Sequence, residues 1–195
     1  MPFITARLPR LAAVCALVAA LTTGLAHAEE RPIVEIVTDR GVITLEVMDK
    51  LAPRTAANFL KLIDNKFYDG LVFHRVIANF MIQGGGYTTD LTYKPGPGNV
   101  PNESFNGVKN MRGTVAMARL ADPDSADTQF FINVKDNDHL DAAPGKAGYT
   151  VFARVIDGMT VVEEIELVDT HLEQGMAAVP ETPVVIQTIR RKAAS

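Results

Sequence analysis

The chain has 195 residues, 47% of them apolar, enough for one well-filled domain and too few for two. Its net charge of −4, without a long basic run, argues against nucleic acid or anionic lipid as the main partner. One cysteine, Cys15, excludes an internal disulfide framework.

Residues 1–28 read as an export leader. Arg7 and Arg10 form a basic start, Leu11 to Leu25 is an almost unbroken apolar run, and Ala26-His27-Ala28 is a small-x-small cleavage signal. The run suits a signal peptide and falls short of the about 20 apolar residues that a spanning helix needs. An uncleaved membrane anchor is the alternative. Cys15 lies inside the run, and Ala13 and Val14 before it make a poor lipid-attachment site. Cleavage after Ala28 leaves a cysteine-free domain, 29–195, that begins at Glu29 and carries a net charge of −6.

In that domain, Ile33 to Val37 and Val42 to Val47 are β-branched runs around Thr38-Asp39-Arg40-Gly41, which predicts a hairpin. Pro53 opens a helix as an N1 proline; Phe59, Leu60 and Ile63 repeat on one face, and Asn65 to Gly70 ends it. Strands follow at Leu71 to Val76 and Phe80 to Gln83, and Gly84, Gly85 and Gly86 read as a strand exit where backbone approaches other groups. No Gly-Lys-Ser/Thr follows the glycines, so they are not a phosphate loop. Tyr87 to Gly107 reads as a long surface loop. Thr114 to Arg119 and Phe130 to Val134 predict strands around a polar loop, Ala121 to Thr128. Ala142 to Gly148 then connects to a strand at Tyr149 to Val155. A second helix is expected at Val161 to Ile165 and a closing strand at Val184 to Ile189. Arg190-Arg191-Lys192 reads as a solvated strand end. Many short strands with only two helices point to a closed antiparallel barrel.

The most informative stretch is FHRVIANFMIQGGG, Phe73 to Gly86. It sets one cation, Arg75, among apolar neighbours with no carboxylate beside it. With the later run Gln129-Phe130-Phe131-Ile132-Asn133-Val134, it suits an apolar pocket with one strong donor at its rim. No nucleophile elbow accompanies it, and His74, His139 and His171 are too widely spaced for a metal site. Taken alone, Arg75 also reads as a structural arginine paired with a distant acid, and Phe80, Met81, Phe131 and Leu140 as core.

These segments together resemble the cyclophilin family of peptidyl-prolyl cis-trans isomerases. The resemblance rests on the helix from Pro53, Tyr68-Asp69-Gly70, Phe73-His74-Arg75, Phe80-Met81-Ile82-Gln83-Gly84-Gly85, Gly113 with Met117-Ala118, Gln129-Phe130-Phe131-Ile132 and Leu140-Asp141. The leader and Pro101-Asn102-Glu103 look like the bacterial periplasmic branch. The resemblance implies an eight-stranded antiparallel barrel with a helix over each open end, mainly β. It implies a prolyl isomerase without cofactor or metal that acts on proline-containing segments of exported, folding proteins, as a monomer in the periplasm with no stable membrane association.

Position by position, it implies Arg75 as the catalytic arginine and Gln83 as the glutamine that holds it. Phe80, Met81, Phe131 and Leu140 match the walls of the proline pocket. His74 matches the histidine beside the arginine, and Gln129 a polar residue that contacts substrate. Met117, Ala118 and Arg119 match the strand that pairs with substrate backbone; the family often has asparagine where Arg119 stands. Tyr149 and His139 stand where many eukaryotic members carry a histidine and a tryptophan. A barrel that captures proline segments with little turnover, or that shields unfolded chains through the Tyr87 to Gly107 loop, is the alternative.

Overall fold

The computed structural model describes residues 31–192; the expected leader, 1–28, lies outside the described residues. Eight strands close a fully antiparallel barrel in the order β1, β10, β3, β4, β6, β5, β7, β2. In chain order these are β1 (Ile33–Thr38), β2 (Gly41–Val47), β3 (Leu71–Ile77), β4 (Met81–Thr88), β5 (Thr114–Met117), β6 (Phe130–Asn133), β7 (Val151–Asp157) and β10 (Val184–Arg191). Closure removes the unpaired edges that an open sheet of this size would carry.

The expected hairpin forms, with Thr38 opposite Gly41 and the Thr38 hydroxyl donating to the Gly41 carbonyl at 2.8 Å. Helix α1 (Pro53–Asp64) leaves from the Val47 end of β2. Helix α2 (Met159–Glu166) packs at the other end, where a Cβ on Gly41 would sit 2.7 Å from Val161. The helices therefore cover opposite ends of the barrel. From α1, Phe59 meets Tyr68, Phe130 and Phe152 at ring separations of 4.9–5.7 Å; Val162 and Ile165 enter from α2.

No side chain at Ala52 caps α1. Its first N–H groups are met from the long 89–113 connection instead. The Glu103 carboxylate accepts from Arg54 N at 3.1 Å, Thr55 N at 2.9 Å and the Thr55 hydroxyl at 2.7 Å. A carboxylate suits the positive end of a helix, so this segment contributes directly to the fold.

Three features depart from the sequence reading. Strand β4 runs through all three glycines to Thr88, so they lie inside a strand, and Tyr87 belongs to β4 rather than to the loop. Gly85 has a φ of +85° and packs so closely on Tyr68 and Phe130 that a Cβ would lie 2.9–3.0 Å from their rings. Strand β5 ends at Met117, leaving Ala118 and Arg119 outside it. A small second sheet, β8 (Thr170–Glu173) with β9 (Met176–Pro180), was not foreseen. Its two-residue turn, Gln174-Gly175, has positive φ at both positions, as a type I′ hairpin requires.

Candidate active site

The barrel's register builds the site as one row across four strands. Arg75 on β3 lies opposite Gln83 on β4, Gln83 opposite Phe131 on β6, and Phe131 opposite Ala116 on β5. A register shift between Phe73 and Arg75 marks a bulge in β3, a common device for re-aiming side chains beside active sites. As a result the sequence neighbours His74 and Arg75 both line one cavity.

Alternation separates the two apolar faces. Phe130, Ile132 and Ile82 point into the barrel core, whereas Phe131 and Met81 join a second apolar cluster with Ala116, Val151 and Met48. Phe80, Leu140 and Tyr149 pack against this second cluster. Met81-Ile82 and Phe130-Phe131-Ile132 are apolar at successive positions because both faces of the sheet are covered there. Above the cluster opens a small cavity of about 130 Å³, walled by Phe80, Met81, Phe131, Leu140 and Tyr149. Arg75 and Gln83 stand at its polar side, with Ala118 and Arg119 completing the rim.

Arg75 Nη1 donates to Gln83 Oε1 at 3.3 Å, and Gln83 Nε2 donates in turn to Gln129 Oε1 at 3.0 Å. Among the described residues no carboxylate lies within ion-pair distance of Arg75, which removes the reading of a structural ion pair. Gly86 makes room for this relay, since a Cβ there would sit 2.5 Å from Gln129 Cγ.

His74 is 5% exposed and its ring lies 4.5 Å from that of Tyr87. Burial, helped by the Arg75 charge, lowers its pKa to about 4; the Val72 main chain and the Gln129 side chain pull the other way. Nδ1 nevertheless has no full hydrogen bond among the described residues, so burial prevails. The imidazole is neutral at physiological pH.

The remaining expected residues divide. Met117 is 2% exposed and its side chain belongs to the barrel core, so only its main chain is available to a ligand. The Ala118 N–H is engaged by Gln129 O at 2.9 Å. The Arg119 side chain donates to the carbonyls of Leu120 (2.9 Å), Ala121 (3.4 Å), Ala147 (3.1 Å) and Gly148 (3.2 Å). Its guanidinium also lies 4.6 Å from the Tyr149 ring centroid. It braces two loops at the rim that both cavities share. His139 stacks on the outer side of Phe80, 5.6 Å between rings, and is not part of the cavity wall.

A larger cavity of about 610 Å³ shares Arg75, Gln83, Ala118 and Arg119 with the first and continues past His74 and Gln129. Tyr87 and Tyr93, from the Tyr87 to Gly107 segment that the sequence offered as a shielding loop, also line it, together with Asp127, Met176 and Ala177, which the sequence did not single out. Tyr93 donates to Asp127 Oδ2 at 2.6 Å. The Gln174-Gly175 turn, the signal that could have placed Met176, lacks the flanking alternation that marks a hairpin.

A closed antiparallel barrel of eight strands with two helices, carrying an apolar cavity with a guanidinium and a carboxamide at its polar side, defines the class of fold and site. Residues 33–191 match the family model for cyclophilin-type peptidyl-prolyl cis-trans isomerases, so the chain belongs to that family. It is a peptidyl-prolyl cis-trans isomerase. An Acinetobacter baylyi peptidyl-prolyl cis-trans isomerase is 47% identical over 167 residues, covering 86% of this chain and 89% of the relative. Peptidyl-prolyl cis-trans isomerase B of Escherichia coli is 44% identical over 155 residues, covering 78% and 94%. In fold, the chain is similar to a crystal structure of a Cryptosporidium parvum cyclophilin-type isomerase, with a TM-score of 0.71 at 24% identity, covering 85% of this chain and 99% of that one.

Proposed function

We propose that Arg75 drives rotation about X-Pro bonds by donating to the prolyl nitrogen, with the proline ring held between Phe80, Met81, Phe131 and Leu140. The single observation that carries this reading is the Arg75–Gln83 pair at the mouth of the apolar cavity. Twisting an X-Pro amide breaks its resonance, a barrier of about 18–20 kcal/mol. A turnover of about 10³ s⁻¹ corresponds to a barrier of about 13 kcal/mol, so the site must supply roughly 6 kcal/mol.

In the twisted state the prolyl nitrogen is pyramidal and its lone pair is no longer shared with the carbonyl. A guanidinium N–H aimed there stabilises the twisted form over both planar forms, which is the differential binding that accelerates a step. Gln83 occupies one arm of the Arg75 fork and leaves the other for substrate. The apolar walls hold the ring, and the main chain from Met117 to Arg119 with Gln129 anchors the preceding residues. The bond then turns between two fixed ends. No proton moves, which suits a His74 whose pKa is lowered to about 4.

The clients are proline-containing segments of exported proteins, handled by a monomer in the periplasm after removal of residues 1–28. The leader pattern Arg7 to Ala28 supports this compartment. Expression of the full gene in a bacterium followed by N-terminal sequencing tests it. Glu29 as the first residue of a periplasmic product is expected; Met1 on a membrane-bound product would overturn it. Isomerisation of a short X-Pro peptide by the parent and by Arg75→Ala tests the arginine.

A further inference from the structure

Behind the proline pocket runs a buried chain of carboxamides that touches the pocket walls but not the cavity. Asn110, Asn133 and Asn137 are each 0–1% exposed. Asn137 is the hub. Its Nδ2 donates to the Phe80 carbonyl at 2.9 Å and to Asn133 Oδ1 at 2.8 Å. Its main-chain N–H donates to the Asn110 carbonyl at 2.7 Å, and its own carbonyl accepts the Leu140 N–H at 2.9 Å. Asn133 passes the chain on to Asn110 Oδ1 at 3.3 Å and Thr114 Oγ1 at 3.0 Å. Asn110 ends it on Asp141, with its N–H 2.8 Å and its Nδ2 3.1 Å from Oδ1.

Two pocket walls, Phe80 and Leu140, are thus both bonded to Asn137, Phe80 also through Ile77 O (3.1 Å) and Val134 N (3.2 Å), and Tyr149 is linked through its N–H to the Leu140 carbonyl at 2.9 Å. The arrangement is not the one that stability alone favours. Asn137 Oδ1 is buried with no hydrogen-bond partner among the described residues, a cost that an apolar residue of the same shape avoids. Flipping the amide would set Oδ1 against two acceptors, Phe80 O and Asn133 Oδ1, and forfeit both hydrogen bonds, although Phe80 O also accepts the Val134 N–H at 3.2 Å.

We infer that Asn137, with Asn133 and Asn110 behind it, is a positioning residue that sets the width of the proline pocket by fixing Phe80 and Leu140 against Phe131. Preorganised walls spare the substrate the ordering cost on binding, so the network acts on the binding of the proline ring more than on the twisting step. The inference rests on this pocket being the substrate site.

The test is X-Pro peptide isomerisation by exchange NMR at several peptide concentrations, beside thermal melts, for parent, Asn137→Ala, Asn110→Ser and the distant core variant Ile189→Ala. Asn137→Ala should raise KM about tenfold with kcat within about twofold, and Asn110→Ser should shift KM in the same direction by less. Ile189→Ala should lower the melting temperature and leave KM unchanged. If Asn137→Ala does not fold, Asn110→Ser decides by the same reading. An unchanged KM in the folded network variants, or an equal rise in Ile189→Ala, would overturn the inference. Arg75→Ala run alongside keeps the two readings apart: lost turnover there with KM intact upholds the site, so an unchanged KM in Asn137→Ala then counts against the network alone.

Discussion

Gln83 holds Arg75 from the neighbouring strand, Oε1 to Nη1 at 3.3 Å, and is itself held by Gln129 at 3.0 Å. The fork is therefore aimed by a two-step relay of neutral amides rather than by a carboxylate. Under the proposed mechanism, a carboxylate partner would neutralise the cation in its ground state and reduce what it can offer the prolyl nitrogen.

Arg75→Ala should lower kcat by about 10²–10³-fold, the usual consequence of losing one preorganised donor, with a smaller change in peptide binding. Arg75→Lys should not restore it, because an ammonium cannot be held and aimed as a planar fork. Both proteins should melt near the parent temperature. Exchange NMR on a short X-Pro peptide checks the claim; parent turnover in a folded Arg75→Ala protein would remove this residue from the mechanism.

Phe131 is 4% exposed, lies between Gln83 and Ala116 in the row, and meets Tyr149 edge-on at 5.6 Å. Phe131→Ala should both weaken peptide binding and destabilise the fold by about 3–5 kcal/mol, since it empties a wall and leaves a cavity. Calorimetric titration and chemical denaturation read the two effects separately. Loss of binding with unchanged stability would show that the side chain is not packed as described.

The Glu103 carboxylate meets three donors at the start of α1, 48 or 49 residues away in sequence. Glu103→Ala should cost about 1–2 kcal/mol, as for loss of a helix cap, which lowers the melting temperature by about 2–8 °C in a domain of this size. Activity at 25 °C should be retained. A melt within about 1 °C of the parent would refute the capping role.

His74 sets an acid limit on stability. Its folded pKa of about 4 lies below the unfolded value of 6.5, so on acidification the unfolded chain binds the proton first. Stability is full above pH 6.5, falls as pH drops towards 4, and loses about 2 kcal/mol by pH 5. The depressed carboxylates Glu35, Glu46, Asp64 and Asp141 lose their contribution at lower pH, so pH 7 against pH 5 isolates the histidine. The melting temperature should fall by about 4–8 °C across that interval in the parent and by clearly less in His74→Gln. Equal slopes in the two proteins would show that His74 titrates normally.

The sequence by itself determined the class of fold, the order of the eight barrel strands along the chain, both helices and the pairing of one cation with two apolar runs. These are local properties: β-branched alternation, an N1 proline, a turn between Thr38 and Gly41. It also marked Arg75, Gln83, Phe80, Met81, Phe131 and Leu140, because spacing within a short motif survives in the linear text. Tertiary structure alone decided what those residues meet. Whether Phe131 or Phe130 faced the pocket depended on register, and a slip of one residue would have exchanged them. That Arg119 braces carbonyls, that His139 stands outside the pocket wall and that Glu103 caps α1 are contacts between loops, whose conformation no periodicity encodes. The asparagine chain behind Phe80 was illegible for the same reason. An asparagine reads as a surface residue until the fold buries it, and only closure of the barrel brought Asn110, Asn133 and Asn137 into one buried cluster whose amides bond one another.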